Sequence, residues 1–204
     1  KLPDAIVERE GLTLEPPVHL VTGPLGEDFA ALLKLRDDDA SGALKKYFGD
    51  GEDPREWTYE VYGSKEQCVT VADGRVTTLV IFKCENLTAL PAAIGGLSAL
   101  KTLVLGSCTS LAELPAAIGE LSTLETLNLN GCSSLAVLPD AIGELGALTE
   151  LVLYNCSSLA ALPDSIGKLK ALTELNLNGC SSLAALPDAI GELKALKTLG
   201  LNGC

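Results

Sequence analysis

The side chains with the greatest potential for chemistry in this 204-residue sequence are seven cysteines, because the chain contains only one histidine, His19. Thiolates act as nucleophiles, bind metals and form disulfides. A single histidine leaves little scope for histidine-based acid–base catalysis. The sequence also lacks a nucleophile motif and a glycine-rich phosphate loop between a strand and a helix. We therefore expect no enzyme activity and no cofactor.

One acidic segment matches the first half of a calcium-binding loop. Asp37, Asp39 and Ser41 alternate along the chain and are followed by Gly42, in the order that such loops use. The twelfth position of the loop requires a bidentate glutamate, and here it is occupied by Phe48. The segment is therefore predicted to be a solvated acidic turn without a bound metal.

A repeat of 24 residues organises the rest of the chain. Six of the cysteines, five prolines and five glycines keep this interval. Within a unit, two leucines stand two residues apart and so share one face of a short strand. An isoleucine and two leucines follow at helical spacing. One unit reads Leu124-x-x-Leu127-x-Leu129-x-x-Cys132-x-x-Leu135-x-x-Leu138-Pro139-x-x-Ile142-Gly143-x-Leu145.

This unit resembles the leucine-rich repeat, with cysteine where many members have asparagine. The resemblance covers residues 76–204, as five full units and a truncated sixth, and leaves residues 1–75 as an N-terminal extension and capping region. It implies an α/β fold, a right-handed solenoid with a curved parallel sheet on its concave side and short helical segments outside. Pro139 is expected in the first turn of its helical segment, and Gly143 limits that segment or permits close packing.

Stacked units would place the cysteines in one column. Equivalent side chains would then lie roughly 4.8 Å apart and point in parallel, whereas a disulfide brings two Cβ atoms to roughly 3.8 Å. A 24-residue step also lacks the clustered ligands of a metal site. We therefore expect buried free thiols that fill space and bond weakly to the turn backbone. Such a column favours a reducing compartment such as the cytoplasm.

The first 75 residues lack the repeat. Residues 1–26 are rich in proline and are predicted to be extended or poorly ordered, whereas residues 27–48 predict one or two helices, interrupted by the acidic run at 37–39. Trp57, followed by a hairpin with its turn at residues 72–74, resembles the N-terminal cap of plant and protist leucine-rich-repeat proteins. Trp57 is predicted to lie in the core of that cap, which would cover the first repeat.

Strand residues that point away from the leucine core form the concave face, the usual ligand surface of the family that this chain resembles. They are small, rich in threonine and asparagine, and weakly charged. Interfaces concentrate binding energy in aromatic and arginine side chains, so we expect anchors at the aromatic and valine positions. The alternative is that these residues only solvate the sheet. The predicted partner-binding residues are Val80, Phe82, Val104, Asn128, Asn130, Glu150, Val152, Tyr154, Glu174, Asn176 and Asn178.

The resemblance implies a non-catalytic protein–protein interaction module. Its Leu-Pro-Asp-Ala-Ile-Gly units are similar to repeats of plant disease-resistance and receptor-like proteins, which implies a role in immunity or signalling. The alternative is a structural or self-associating solenoid, or a fragment of a longer repeat protein. Leu196, Leu199 and Leu201 would then form an apolar end that pairs with a second copy, as an end-to-end homodimer, or that further repeats cover. A flat, threonine-rich surface also allows ice binding.

Charge and hydropathy exclude two other classes of partner. The formal net charge is −12, which disfavours binding to nucleic acids and to anionic membranes, because both reward lysine and arginine. No apolar run approaches the roughly 20 residues of a membrane-spanning helix, and the start shows no secretory signal. A protein is therefore the expected partner, without nucleic acid and without membrane insertion.

Overall fold

The computed structural model describes residues 21–61 and 63–204. The prediction for residues 1–20 lies outside this part. For the residues that follow, the prediction of extended or poorly ordered chain up to residue 26 is wrong, because helix α1 spans Gly23–Asp37. Pro24 lies in the first turn of α1, where its missing N–H group is not needed for a helical hydrogen bond.

From residue 21 onward, the capping region contains two α-helices, a short 3-10 helix and a small antiparallel hairpin. Helix α2 spans Ala43–Phe48, and a short 3-10 helix spans Pro54–Glu56. Strands β1 (Thr58–Val61) and β2 (Ser64–Gln67) form a separate two-stranded sheet. Trp57 is 2% exposed and stacks on Phe48 with ring centroids 4.0 Å apart. Its predicted place in the core of the cap is confirmed.

A second hairpin leads from the cap into the main sheet. Strands β3 (Val69–Ala72) and β4 (Arg75–Val80) pair antiparallel. Asp73 and Gly74 connect them in the predicted turn, with φ values of 52° and 69°. Both residues therefore adopt the left-handed conformation, which glycine, asparagine and aspartate tolerate best.

Parallel pairing extends this sheet through the repeats. Its seven strands run in chain order, and each repeat strand pairs with the next in an unshifted 24-residue register, so that Leu103 lies beside Leu127. The parallel sheet of the predicted solenoid is thus confirmed. The repeat strands are β5 (Thr102–Val104), β6 (Thr126–Asn128), β7 (Glu150–Val152), β8 (Glu174–Asn176) and β9 (Thr198–Gly200).

The helical segments outside the sheet are five-residue 3-10 helices. Pro139 precedes its segment with ψ at 151° and so caps it, which corrects the prediction that it lies in the first turn. A Cβ atom on Gly143 would stand 2.5 Å from the carbonyl oxygen of Ser165 in the next unit, so this glycine permits close packing. The segments are Ala92–Gly96, Ala116–Glu120, Asp140–Glu144, Asp164–Lys168 and Asp188–Glu192.

The core between the two layers is a stack of leucine, isoleucine and cysteine side chains. All seven cysteines are free, and only Cys204 is exposed. From Cys108 onward, each repeat thiol donates to a carbonyl oxygen of the unit before it. The Sγ atoms of Cys132 and Cys156 lie 2.9 and 3.2 Å from the carbonyl oxygens of Leu105 and Leu129. The predicted thiol column is therefore confirmed. Its closer acceptors are carbonyls at the ends of the strands, and Cys108 Sγ also lies 3.9 Å from the carbonyl oxygen of Gly106 in its own turn.

A buried carboxylate joins the cap to the first repeat. Asp28 of α1 is fully buried, and its two oxygens accept hydrogen bonds from Arg75 Nε and Nη2, each at 2.9 Å. One of the same oxygens accepts the backbone N–H of Val76 at 2.8 Å. The cap is thus attached to the sheet by a charged pair that the repeat pattern does not contain.

Candidate protein-binding surface

The alternation of side chains along each short strand creates the concave face. In β5 to β8 the central leucine is buried, and the residues on either side of it are half-buried. The first flanking column consists of threonine or glutamate and the second of valine or asparagine. Both point away from the core, as the sequence predicted for Val80, Val104, Asn128, Glu150, Val152, Glu174 and Asn176.

Tyr154 is the most exposed of the predicted anchors, with 43% of its surface accessible. It lies two residues beyond Val152, at the end of β7. The equivalent position in the neighbouring units is asparagine, at Asn130 and Asn178, and both of these side chains are half-buried. The ring of Tyr154 therefore stands out from a surface of smaller groups.

Phe82 contributes to the contact between the cap and the repeats more than to an exposed surface. Its ring covers Gly106, where a Cβ atom would stand 2.8 Å from the ring. Tyr59 of the cap packs against it with centroids 6.1 Å apart. The backbone N–H of Phe82 donates to the hydroxyl of Tyr47 at 2.9 Å. Three strand spacings, roughly 14 Å, separate Phe82 from Tyr154, so the two predicted anchors do not form one patch.

Three of the predicted asparagines use their side-chain oxygens within the fold. Asn128 Oδ1 accepts the backbone N–H of Asn130 at 2.9 Å, and Asn176 Oδ1 accepts that of Asn178 at 3.1 Å. Asn178 Oδ1 accepts the N–H of Asn202 at 2.7 Å. These side chains hold the chain where it leaves the strand, so their first role is structural.

The strand ends also contain a conformational constraint that the sequence analysis missed. The residue that follows Tyr154, and the equivalent residue in each of the other five units, has a positive φ. The values run from 56° at Ser107 to 78° at Gly179. Glycine and asparagine fill four of the six positions, and this preference is the signal that could have revealed the turn. The six residues are Lys83, Ser107, Gly131, Asn155, Gly179 and Gly203.

Two glutamates occupy adjacent positions on this face. Glu150 and Glu174 are direct partners in the register of β7 and β8. Thr126 Oγ1 lies 3.5 Å from Glu150 Oε2. The neighbouring Glu125, in contrast, forms an ion pair, in which Lys101 Nζ lies 3.3 Å from a carboxylate oxygen.

The predicted self-association residues lie at the last strand. Leu199 and Leu201 are 38% and 41% exposed, although the equivalent leucines of the preceding units are buried. Leu196 is partly buried and packs against the core. Leu199 and Leu201 therefore expose apolar surface at the last strand, whereas Leu196 is less exposed.

The thiols and the acidic segment offer no reactive centre. Burial raises the pKa of the Cys108, Cys132 and Cys156 thiols to about 12, so these groups are neutral and weakly nucleophilic near neutral pH. Within residues 21–61 and 63–204, no cluster of three histidine, cysteine or acidic side chains could hold a metal ion.

No helix of the same part is long and apolar enough to cross a membrane.

Asp39 corrects the prediction of a solvated acidic turn. It is 8% exposed, and one of its carboxylate oxygens accepts the backbone N–H of Leu44 at 2.8 Å. The hydroxyl of Ser41 donates to the other oxygen at 2.7 Å. Asp39 therefore accepts a backbone N–H from the first turn of α2, whose N-cap residue is Gly42.

Comparison with known proteins agrees with this architecture. A family model described as a leucine-rich repeat region matches residues 78–203. A leucine-rich repeat protein of Leptospira interrogans is 37% identical over 57% of this chain and 29% of its own, with a TM-score of 0.52. The leucine-rich repeat domain of the type III effector XopL is 33% identical over 67% of this chain and 48% of its own, with a TM-score of 0.53.

A plant ice-binding protein has a TM-score of 0.63 at 23% identity, over 87% of this chain and 56% of its own, a likeness of fold alone. The chain thus spans between 29% and 56% of the length of these three structures. No curated protein sequence matches it. The matched repeats, the parallel sheet and the leucine core show that the chain belongs to the leucine-rich repeat family, whose members are generally non-enzymatic modules for protein–protein interaction.

Proposed function

We propose that this chain binds a protein partner through its concave face, with Tyr154 as the central anchor. The observation that supports this is the 43% exposure of Tyr154 on a face whose other predicted anchors are half-buried. An aromatic ring supplies a large contact area at low cost in side-chain entropy, and such residues dominate the energetics of interfaces. Val152 lies beside it, and Asn130 and Asn178 flank it as polar neighbours.

The proposal is tested by capture from a lysate of the source organism with matched variants. The bait with Tyr154→Ser is compared with the unchanged chain and with Val137→Ser. Val137 is 53% exposed and lies outside the strands of the concave face, so the control removes a similar amount of apolar surface elsewhere. We expect a protein that the unchanged chain and Val137→Ser retain and that Tyr154→Ser loses. Equal capture by all three baits would refute the proposal.

The wider role that we propose is recognition within immunity or signalling. It is supported by the similarity of the repeat units to those of plant disease-resistance and receptor-like proteins. The identity of the protein that depends on Tyr154 tests it. A receptor, kinase or pathogen-derived protein would support this role, whereas a metabolic enzyme would not.

A second candidate function is end-to-end self-association, and the exposure of Leu199 and Leu201 favours it. Apolar surfaces of this kind commonly mark contacts between proteins. Light scattering over a range of concentrations would show a dimer that a Leu199→Asp and Leu201→Asp variant does not form. A monomer at high concentration would exclude this candidate.

A further inference from the structure

We propose that the partner presents a basic side chain followed by an apolar one in an extended segment. The basic group would lie between Glu150 and Glu174, and the apolar group would contact Val152 and Tyr154. This inference rests on the proposed function, because it names the chemistry of the partner at the same face.

The register of the sheet places the two carboxylates for such a contact. Glu150 and Glu174 are paired residues of adjacent parallel strands, which lie roughly 4.8 Å apart. Like charges at directly opposed positions of a sheet repel each other. A guanidinium or ammonium group between them would replace that repulsion with two attractions.

The fold leaves this charge without a basic counterpart. In the part of the chain that the structure describes, Glu150 and Glu174 take part in no ion pair, whereas the nearby Glu125 is paired with Lys101. In the outer layer, Lys168 Nζ is paired with Glu144 at 2.9 Å. The net charge of −12 would also attract a basic segment from a distance.

The apolar element lies at a fixed distance from the charge. Val152 and Tyr154 follow Glu150 at intervals of two residues, so each step covers roughly 7 Å along the same face. An extended partner segment has the same repeat, with alternate side chains on one side. A basic residue and an apolar residue two positions apart would therefore contact Glu150 and Val152 together, and the next alternate residue would reach Tyr154.

The experiment uses a random 12-residue peptide library displayed on phage and selected against the whole chain. Synthetic copies of the selected peptides are then titrated by fluorescence anisotropy against three variants. These are Tyr154→Ala, the double variant Glu150→Gln with Glu174→Gln, and a control double variant, Glu113→Gln with Glu120→Gln. The control changes the net charge equally at positions outside the concave strands. Circular dichroism verifies that each variant is folded.

We expect selected peptides to contain lysine or arginine two positions from an apolar residue. Their affinity should fall about tenfold in the Glu150 and Glu174 variant, and less than about twofold in the control. Peptides that need Tyr154 but lack a basic residue, or that bind the double variant unchanged, would overturn this inference and leave the proposed function standing. Peptides that are indifferent to Tyr154, or a selection that yields no binder, would overturn both.

Discussion

Replacing Asp28 with alanine is expected to destabilise the protein by about 3–5 kcal/mol, the cost of breaking a buried ion pair by removing one partner. The carboxylate of Asp28 is fully buried between α1 and β4. It accepts three hydrogen bonds, two from the Arg75 guanidinium and one from the backbone N–H of Val76. All three donors lose their acceptor at once in the variant.

The size of this loss of stability depends on whether each donor finds another acceptor once Asp28 is replaced. The N–H of Val76 is buried and would lack a partner, which costs about 1–3 kcal/mol. Arg75 loses two charge-assisted bonds, each of a class that contributes about 1.5–3 kcal/mol. Its side chain is 29% exposed and keeps a bond to Ser98 Oγ at 2.8 Å, so water and this hydroxyl recover part of the loss. The total therefore stays near the lower end of the simple sum of about 4–9 kcal/mol.

Urea unfolding, with its midpoint and slope, measures this loss. The matched control is Glu192→Ala, which removes the partner of Lys170 in a pair at 3.6 Å whose side chains are 60% and 62% exposed. Exposed pairs of this type contribute about 1 kcal/mol or less. An Asp28→Ala variant that loses no more than Glu192→Ala would refute the assignment of Asp28 as the attachment of the cap.

Three further outcomes are expected. Gly143→Ala should lower the free energy of unfolding by about 1–3 kcal/mol, because its Cβ atom would stand 2.5 Å from the Ser165 carbonyl oxygen. Gly146→Ala is the control: its Cβ atom would meet no atom within 4 Å, so the same urea titration should show no destabilisation. A thiol reagent should modify one cysteine of the native protein, Cys204, and all seven in denaturant; rapid native reaction of more than one would contradict the buried column. The contribution of the buried thiols to the free energy of unfolding should be constant below about pH 9 and fall as the pH rises toward 12, because Cys108, Cys132 and Cys156 ionise from about 9 in the unfolded chain but only near 12 in the folded one. Replacing Cys132 with alanine should reduce that alkaline slope, and an unchanged slope would contradict its origin in the thiols.

The repeat made most of the fold predictable because it fixes the environment of each residue from its position in the unit. Leu127 recurs as Leu103 and Leu151, and all three are fully buried. Each thiol of the column has the thiol of the next unit beside it and a strand carbonyl within hydrogen-bonding distance. The period therefore also predicts that these thiols are buried and free. The positive φ of Ser107 was predictable in the same way, from the glycine and asparagine that fill its column in other units.

The capping region was less predictable because its contacts join residues that no period relates. Asp28 and Arg75 are 47 positions apart, and nothing in either segment identifies the other as its partner. Phe82 occupies a column of the concave face, but Tyr59 of the cap covers it. Asp39 appears solvated as part of an acidic run, although its local bond to the N–H of Leu44 buries it. Tertiary contacts decided the first two, and a local turn decided the third.

The departures from the repeat therefore say more about function than the repeat does. The column that contains Glu150 and Glu174 has threonine in the adjacent strands, at Thr126 and Thr198. Threonine satisfies the fold at this position, since it suits a half-buried sheet surface and carries no charge. Two glutamates in register repel each other and add nothing to the leucine core. Folding alone disfavours this pair, whereas a basic partner beside Tyr154 would turn the same repulsion into binding energy.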